Sequence, residues 1–137
     1  MLHRKVCKRE IMIAEKTYLK PGSVQEALVM AEEWRPDFRY LAGGTDVMVN
    51  RWQGNETSSC LIDLNGIDEL KLVARKGHYL SIGSLVTLDE LKFHSVIVTE
   101  FPALIEAAEA VGSPLIRKSA TLGGNILCEN RCIFYNQ

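Results

Sequence analysis

Two glycine pairs, one in each half of the chain, are the feature that most constrains how this sequence can fold. They lie in Ala42-Gly43-Gly44-Thr45-Asp46 and in Thr121-Leu122-Gly123-Gly124-Asn125. A diphosphate needs backbone amides that converge on it without side chains in the way, and a glycine pair before a helix can supply them. A lone glycine pair is usually only a tight turn. Two pairs, each flanked by Thr and by Asp or Asn, favour binding loops over simple turns.

The side chains beside the glycines suggest separate tasks. In the first loop, the Thr45 hydroxyl can donate to an anion, whereas the Asp46 carboxylate is unfavourable next to phosphate. We therefore expect Asp46 to cap the short helix that follows, or to bind a sugar hydroxyl. In the second loop, Thr121 and Asn125 offer a hydroxyl and an amide for phosphate or ribityl oxygens.

The N-terminal half has the pattern of a small parallel lobe. Between Lys16 and Asp63 the order is strand, helix, strand, glycine loop, helix, strand, which is typical of βαβ units. The capping box Ser23-x-x-Glu26 marks the start of the first helix. The last strand is the apolar run Cys60 to Leu64, and the turn signal Asn65-Gly66 ends it.

After that turn the pattern changes to that of an antiparallel α+β unit. Leu70 to Ala74 and His78 to Ile82 are predicted to pair as a hairpin, and Pro102 suits the first turn of a later helix. The stretch from Ile116 to Leu127 is predicted to carry the second glycine loop and to return to a strand. We therefore predict an α+β fold with an N-terminal lobe over residues 1–64 and a second lobe over residues 65–137.

Composition narrows the class of partner. With 16 basic and 17 acidic side chains among 137 residues, the chain has no excess of positive charge for nucleic acid or for an anionic membrane. No apolar stretch reaches the length of a signal peptide or a membrane span. We expect a cytoplasmic protein with no nucleic-acid and no membrane partner. The cysteines are too few and too irregularly spaced for a disulfide scaffold and are predicted to be thiols: Cys7, Cys60, Cys128 and Cys132.

Neither Gly-x-Gly-x-x-Gly nor Gly-x-x-x-x-Gly-Lys-Ser/Thr occurs in the sequence, so it has neither the Rossmann dinucleotide fingerprint nor a Walker phosphate loop. Four other motifs follow one another along the chain: Leu41-Ala42-Gly43-Gly44-Thr45-Asp46, Leu61-Ile62-Asp63-Leu64, Ile82-Gly83-Ser84-Leu85-Val86-Thr87-Leu88, and Pro114-Leu115-Ile116-Arg117 leading into Thr121-Leu122-Gly123-Gly124-Asn125-Ile126. In this order they resemble the FAD-binding subunit or domain of the molybdenum hydroxylases. That family includes xanthine dehydrogenase, carbon monoxide dehydrogenase and 4-hydroxybenzoyl-CoA reductase.

The resemblance implies a two-lobed FAD-binding domain of the vanillyl-alcohol-oxidase (PCMH) type, with both glycine loops on the cofactor diphosphate. It also implies electron transfer between the flavin and the clusters of an iron–sulfur subunit, in a complex that includes a molybdopterin subunit. Because the flavin supplies the redox chemistry, we assign no catalytic acid, base or nucleophile to this chain. The cofactor-binding residues that the resemblance implies are Leu41, Ala42, Gly43, Gly44, Thr45, Asp46, Val111, Thr121, Gly123, Gly124 and Asn125.

The last residues resemble the 4-hydroxybenzoyl-CoA reductase branch, whose flavin subunit carries an extra iron–sulfur cluster after the second glycine loop. The resemblance gives Cys132 the position of the first cluster ligand, with a [4Fe-4S] cluster expected only in the full-length protein. Family members continue past this point, so the chain is expected to be truncated and its second lobe incomplete at the C-terminus. Alternatively, Cys128 and Cys132 could be two ligands of a zinc site.

Two other functions stay open at this point. A non-catalytic assembly or binding domain would keep the fold without flavin and dock a partner through Phe134-Tyr135. A phosphate or nucleotide binder unrelated to flavin would bind ADP as well as it binds the intact FAD dinucleotide.

Overall fold

A computed structural model describes residues 16–128 of the chain. The strands in that range are β1 (Thr17–Leu19), β2 (Phe38–Leu41), β3 (Cys60–Asp63), β4 (Val73–Lys76) and β5 (Tyr79–Ile82). The α-helices are α1 (Val24–Glu33), α2 (Val47–Gln53), α3 (Ser95–Glu100), α4 (Pro102–Glu109), α5 (Pro114–Arg117) and α6 (Leu122–Ile126). Short 3-10 turns span Leu64–Gly66, Asp68–Lys71 and Glu90–Phe93.

The first three strands form a parallel sheet in the order β1-β3-β2. Thr17 pairs with Cys60 at one end of the sheet, and Leu41 pairs with Asp63 at the other. All four residues of the central strand β3 are buried, as expected for a parallel strand with a neighbour on each side. The parallel lobe predicted from the sequence is confirmed.

Helix α1 begins where its capping signal predicts. Ser23 Oγ accepts a hydrogen bond from Glu26 N at 3.2 Å. Glu26 Oε2 in turn accepts from Gly22 N at 2.7 Å, one residue before the amide that a capping box normally uses. The buried side chains of α1 pack with the sheet in a first hydrophobic core, whose buried members are Ala27, Ala31, Cys60, Ile62 and Ile67.

The remaining elements enclose a second hydrophobic core. Strands β4 and β5 pair antiparallel, with Val73 opposite Ile82, so the predicted hairpin is confirmed. Its first strand begins three residues later than predicted and extends to Lys76, because Leu70 and Lys71 belong to a 3-10 turn. Pro102 occupies the first turn of α4, as predicted. The buried members of the second core are Val86, Leu88, Leu91, Ile97, Ala108 and Ala120.

The strand predicted after the second glycine pair is wrong, because that segment forms the short helix α6. Thr121 is the N-cap of α6, and its Oγ1 accepts from Gly124 N at 3.1 Å. Leu122 N donates to Val86 O at 2.8 Å, and Thr121 forms a single antiparallel bridge with Thr87. These contacts hold the start of α6 on the second core and replace the strand pairing.

The α+β fold class is confirmed. In the described part of the chain, a parallel sheet with two connecting helices comes first, and an antiparallel hairpin followed by four short α-helices comes after it. The division of the chain at residue 64 stays a prediction. No helix within residues 16–128 has both the length and the apolar character that crossing a membrane requires.

Candidate functional site

The first glycine loop, residues 42–46, connects the carboxyl end of β2 to α2. Gly44 has a φ of 72°, a conformation that residues with a Cβ rarely adopt. Met48 N donates to Gly44 O at 3.1 Å, and Asn50 N donates to Asp46 O at 3.0 Å. The loop therefore leads directly into the first turn of α2, in the strand–loop–helix arrangement that the sequence predicts.

The second glycine loop, residues 121–125, packs tightly on the segment that follows β5. Gly123 N donates to Ser84 O at 2.9 Å. A Cβ on Gly123 would lie 2.6 Å from Ser84 Cβ, closer than real side chains approach. Glycine at this position is thus required by close backbone packing.

The two glycine loops meet through the backbone that leads into the second one. A Cβ on Gly43 would lie 1.7 Å from Ser119 O and 3.2 Å from Ala120 N. Only glycine allows this approach. The first loop therefore lies directly against the segment that begins the second loop, close enough for the two loops to share one site.

A cavity of about 500 Å³ lies where the two loops meet, a volume typical of pockets for small molecules and cofactors. Leu41 does not belong to the wall of this cavity, and Cys132 lies outside the described residues. All other residues that the sequence analysis assigned to the cofactor line it: Ala42, Gly43, Gly44, Thr45, Asp46, Val111, Thr121, Gly123, Gly124 and Asn125.

The two loops differ in how their backbone amides are used. Among residues 16–128, no hydrogen bond uses the amides of Gly43 to Thr45. In the second loop, Gly123 N is bonded to Ser84 O and Gly124 N to Thr121 Oγ1. The first loop therefore offers the unused backbone donors, and the second loop contributes shape and side chains.

Two side chains of the second loop reach the cavity wall. Thr121 is buried, and its hydroxyl keeps its own proton for donation while the oxygen accepts from Gly124 N. Asn125 Nδ2 donates to Thr121 O at 2.8 Å, so Asn125 brings an amide oxygen as an acceptor. Hydroxyl and amide groups of this kind suit the polar chain of a dinucleotide.

Asp46 occupies the N-cap position of α2, as predicted, but without a side-chain hydrogen bond to a first-turn amide. Its Oδ2 accepts instead from Asn50 Nδ2 at 2.9 Å. Asn50 lines the same cavity one turn further along α2. The Asp46 carboxylate is thus bonded along the helix, and the capping role expected for its side chain is replaced by this contact.

The cavity is also lined by polar residues that the sequence did not indicate, among them Arg39 and Asn55. Arg39 Nε lies 2.5 Å from Glu56 Oε2. Burial raises the pKa of Glu56, but hydrogen bonds from Ser58 and from Arg39 outweigh it, so the pKa lies below its usual range. Glu56 therefore stays ionised at neutral pH and holds Arg39 on the wall. No local motif marks these residues; Arg39 had only its position before the first glycine loop as a signal.

No group of three or more His, Cys, Asp or Glu side chains in the described part of the chain could hold a metal ion. Cys60 is buried, and burial raises the pKa of its thiol above the usual value. Cys128 is exposed and lines the cavity. The iron–sulfur and zinc predictions both depend on Cys132 and stay predictions, because that residue lies outside the described range.

Residues 11–132 match the family described as the FAD binding domain in molybdopterin dehydrogenase. The chain belongs to this family. It is 32% identical over 111 residues to the xanthine dehydrogenase FAD-binding subunit of Escherichia coli O157:H7, a match that covers 80% of this chain and 38% of that protein. It is 31% identical over 113 residues to the nicotinate dehydrogenase FAD-subunit of Eubacterium barkeri, over 80% and 37% of the two chains.

Solved structures of the same family have the same fold. Carbon monoxide dehydrogenase from Hydrogenophaga pseudoflava aligns with a TM-score of 0.79 and 29% identity, over 82% of this chain and 39% of the matched chain. Quinoline 2-oxidoreductase from Pseudomonas putida 86 aligns with a TM-score of 0.75 and 29% identity, over 80% and 38%. The chain thus spans less than two fifths of these relatives. The resemblance seen in the motifs is confirmed for the family, and the 4-hydroxybenzoyl-CoA reductase branch stays a prediction.

Proposed function

We propose that this chain binds FAD in the cavity between the glycine loops, with the diphosphate against the amides of Gly43 to Thr45. The observation that supports this most directly is that Gly43, Gly44 and Thr45 line the cavity and that their amides bond nothing within the described part of the chain. A diphosphate offers several acceptor oxygens to such a group of donors. Glycine at position 43 lets the first loop pack against Ser119, and glycine at position 44 allows the positive φ that the loop requires.

The other cofactor-binding residues have supporting roles in this proposal. Thr121 and Asn125 provide a hydroxyl and an amide for phosphate or ribityl oxygens. Val111 lines the cavity together with Ile116 and gives the adenine ring an apolar contact. Leu41 supports the loop from outside the cavity, because its Cδ1 lies 3.4 Å from the position of a Cβ on Gly44.

In the complete complex, we propose that the chain is part of a flavin subunit that passes electrons between FAD and the clusters of an iron–sulfur subunit. A molybdopterin subunit completes the oxidoreductase in this proposal. The supporting observations are the family match and relatives that are named as FAD subunits of dehydrogenases. Bound FAD supplies one- and two-electron chemistry, and this chain binds and orients it.

Calorimetric titration with FAD tests the proposal on the wild type and on two matched variants. Gly44→Asp puts a carboxylate beside the diphosphate site, and we expect FAD affinity to fall on the order of 100-fold or more. Gly77→Asp is the control, because Gly77 also has a positive φ, of 61°, and nothing lies within 4 Å of its Cβ position. The control carries the same charge and a similar backbone strain, and we expect its FAD affinity to equal that of the wild type.

Two results would refute the proposal: a wild-type chain that takes up no FAD, or a Gly44→Asp variant that binds FAD as tightly as Gly77→Asp. Titration with ADP separates a further alternative. Equal affinity for ADP and FAD would favour a nucleotide binder unrelated to flavin.

A further inference from the structure

Asn65 connects the central strand of the sheet to the first glycine loop. It lies in the 3-10 turn that follows β3. Its Nδ2 donates to Ala42 O at 2.8 Å and to Asp63 Oδ1 at 2.6 Å. Its backbone N also donates to Asp63 Oδ1, at 3.0 Å. The side chain is therefore held between a carboxylate of the strand and a carbonyl of the loop.

Asp63 is anchored from a second strand. It is only 5% exposed, and a buried carboxylate requires partners. Its Oδ2 accepts from the Tyr18 hydroxyl on β1 and lies 4.0 Å from Lys20 Nζ. We call the chain of hydrogen bonds from Tyr18 through Asp63 and Asn65 to Ala42 the latch. The latch joins two strands of the sheet to the glycine loop.

The latch also affects the unused amides of the first glycine loop, because Ala42 directly precedes Gly43. The peptide group between Ala42 and Gly43 is planar and trans, so the Ala42 C=O and the Gly43 N–H point in opposite directions. A hydrogen bond that fixes Ala42 O therefore also fixes the direction of the Gly43 N–H, the first of the three unused amides. Asn65 itself does not line the cavity between the glycine loops.

We propose that Asn65 is a positioning residue for FAD binding, which acts by holding the Ala42–Gly43 peptide in the orientation that the diphosphate requires. This inference rests on the proposed function. Donors that are already oriented avoid the ordering cost that binding otherwise has to overcome. The latch thereby raises FAD affinity without touching the cofactor.

Asn65→Ala tests the inference, with Glu69→Ala as its matched control. Glu69 Oε1 accepts from Val24 N at 3.2 Å, so it also forms a side-chain-to-backbone bond between distant parts of the chain, but it reaches α1 instead of the loop. We expect Asn65→Ala to lower FAD affinity about fivefold to tenfold. Glu69→Ala is expected to stay within about twofold of the wild-type FAD affinity. Asn65→Ala is expected to lower the melting temperature more than Glu69→Ala does, because it also removes a hydrogen-bond donor from the buried Asp63 carboxylate.

A second measurement separates positioning from general destabilisation. Heteronuclear ¹⁵N relaxation without FAD reports the motion of the Gly43 and Gly44 amides on the picosecond to nanosecond timescale. We expect the order of these two amides to fall in Asn65→Ala and to stay unchanged in Glu69→Ala. Equal order in both variants would overturn the inference.

The titrations distinguish failure of the inference from failure of the proposed function. If the wild type binds FAD and the two variants weaken binding equally, the inference is overturned and the proposed function stands. If the wild type binds no FAD, the proposed function fails, and the role of Asn65 in FAD binding fails with it.

Discussion

Asp63 combines burial with hydrogen-bond donors from two directions. Burial raises the pKa of its carboxyl, but hydrogen bonds from Tyr18 and Asn65, together with the charge of Lys20, outweigh burial, so the pKa is lowered. The same contact raises the pKa of Tyr18, chiefly because its hydroxyl donates to the carboxylate. The folded state therefore favours an ionised Asp63 and a neutral Tyr18.

This arrangement predicts a specific loss of stability in acid. A carboxyl whose pKa is lowered by folding stabilises the protein fully above its unfolded pKa, about 3.9, and loses that contribution as the pH falls through the lower folded pKa. Asp63→Asn removes the titrating group. We expect the free energy of unfolding, measured by denaturant titration from about pH 6 down to about pH 3, to fall more steeply in the wild type than in Asp63→Asn. Parallel curves for the two proteins would contradict this assignment.

At the scale of elements, α1 is an example of a helix whose start is encoded locally. Ser23 lies at the N-cap with an extended backbone and accepts from Glu26 N. We expect Ser23→Ala to lower the free energy of unfolding by about 1 kcal/mol, because an unsatisfied amide is left at the helix start. Ser95→Ala is the control, since Ser95 begins α3 and forms no side-chain hydrogen bond within the described residues. Urea unfolding of both variants measures the difference, and an equal effect of the two changes would argue against a capping role for Ser23.

Helix α6 could not be predicted in the same way, because its stability depends on distant residues. Two of its five residues are glycines, each of which disfavours a helix by about 1 kcal/mol relative to alanine. The bonds that hold it come from Val86 and Ser84, which lie in another part of the chain. Local sequence therefore predicted the glycine loop but not the helix that contains it.

The candidate site also has some features that short sequence motifs encode and others that depend on contacts between distant residues. The glycine pairs and their flanking Thr, Asp and Asn residues were visible in the sequence because short motifs encode them. The contact between Gly43 and Ser119 was not, and Asn65 was read only as a turn residue. Its bond to Ala42 spans 23 residues, and no local pattern indicates it.

At the scale of the whole molecule, the cavity lies between two hydrophobic cores that are built from successive parts of the chain. Close backbone contacts join these parts at glycines. A Cβ on Gly43 would overlap Ser119 O, and a Cβ on Gly83 would lie 2.2 Å from Leu70 O. The spacing of the two glycine loops, and with it the width of the cavity, is therefore set by contacts that tolerate no side chain.

Gly43→Ala should uncouple the unfolding of the two hydrophobic cores. The added Cβ must displace backbone, and we expect the free energy of unfolding to fall by about 2–3 kcal/mol. Trp34 packs against the first core, and with the exposed Trp52 replaced by Phe in every protein tested, tryptophan fluorescence follows that core, while circular dichroism follows all helices. In the wild type the two probes should give one coincident urea transition. In Gly43→Ala the two transitions should separate, because one of the close contacts that couple the cores is lost. Gly22→Ala is the control, since the nearest atom to its Cβ position is Glu26 Oε2 at 3.6 Å, an ordinary contact. Coincident and unshifted transitions in Gly43→Ala would mean that the two cores are coupled by contacts other than the glycine loops.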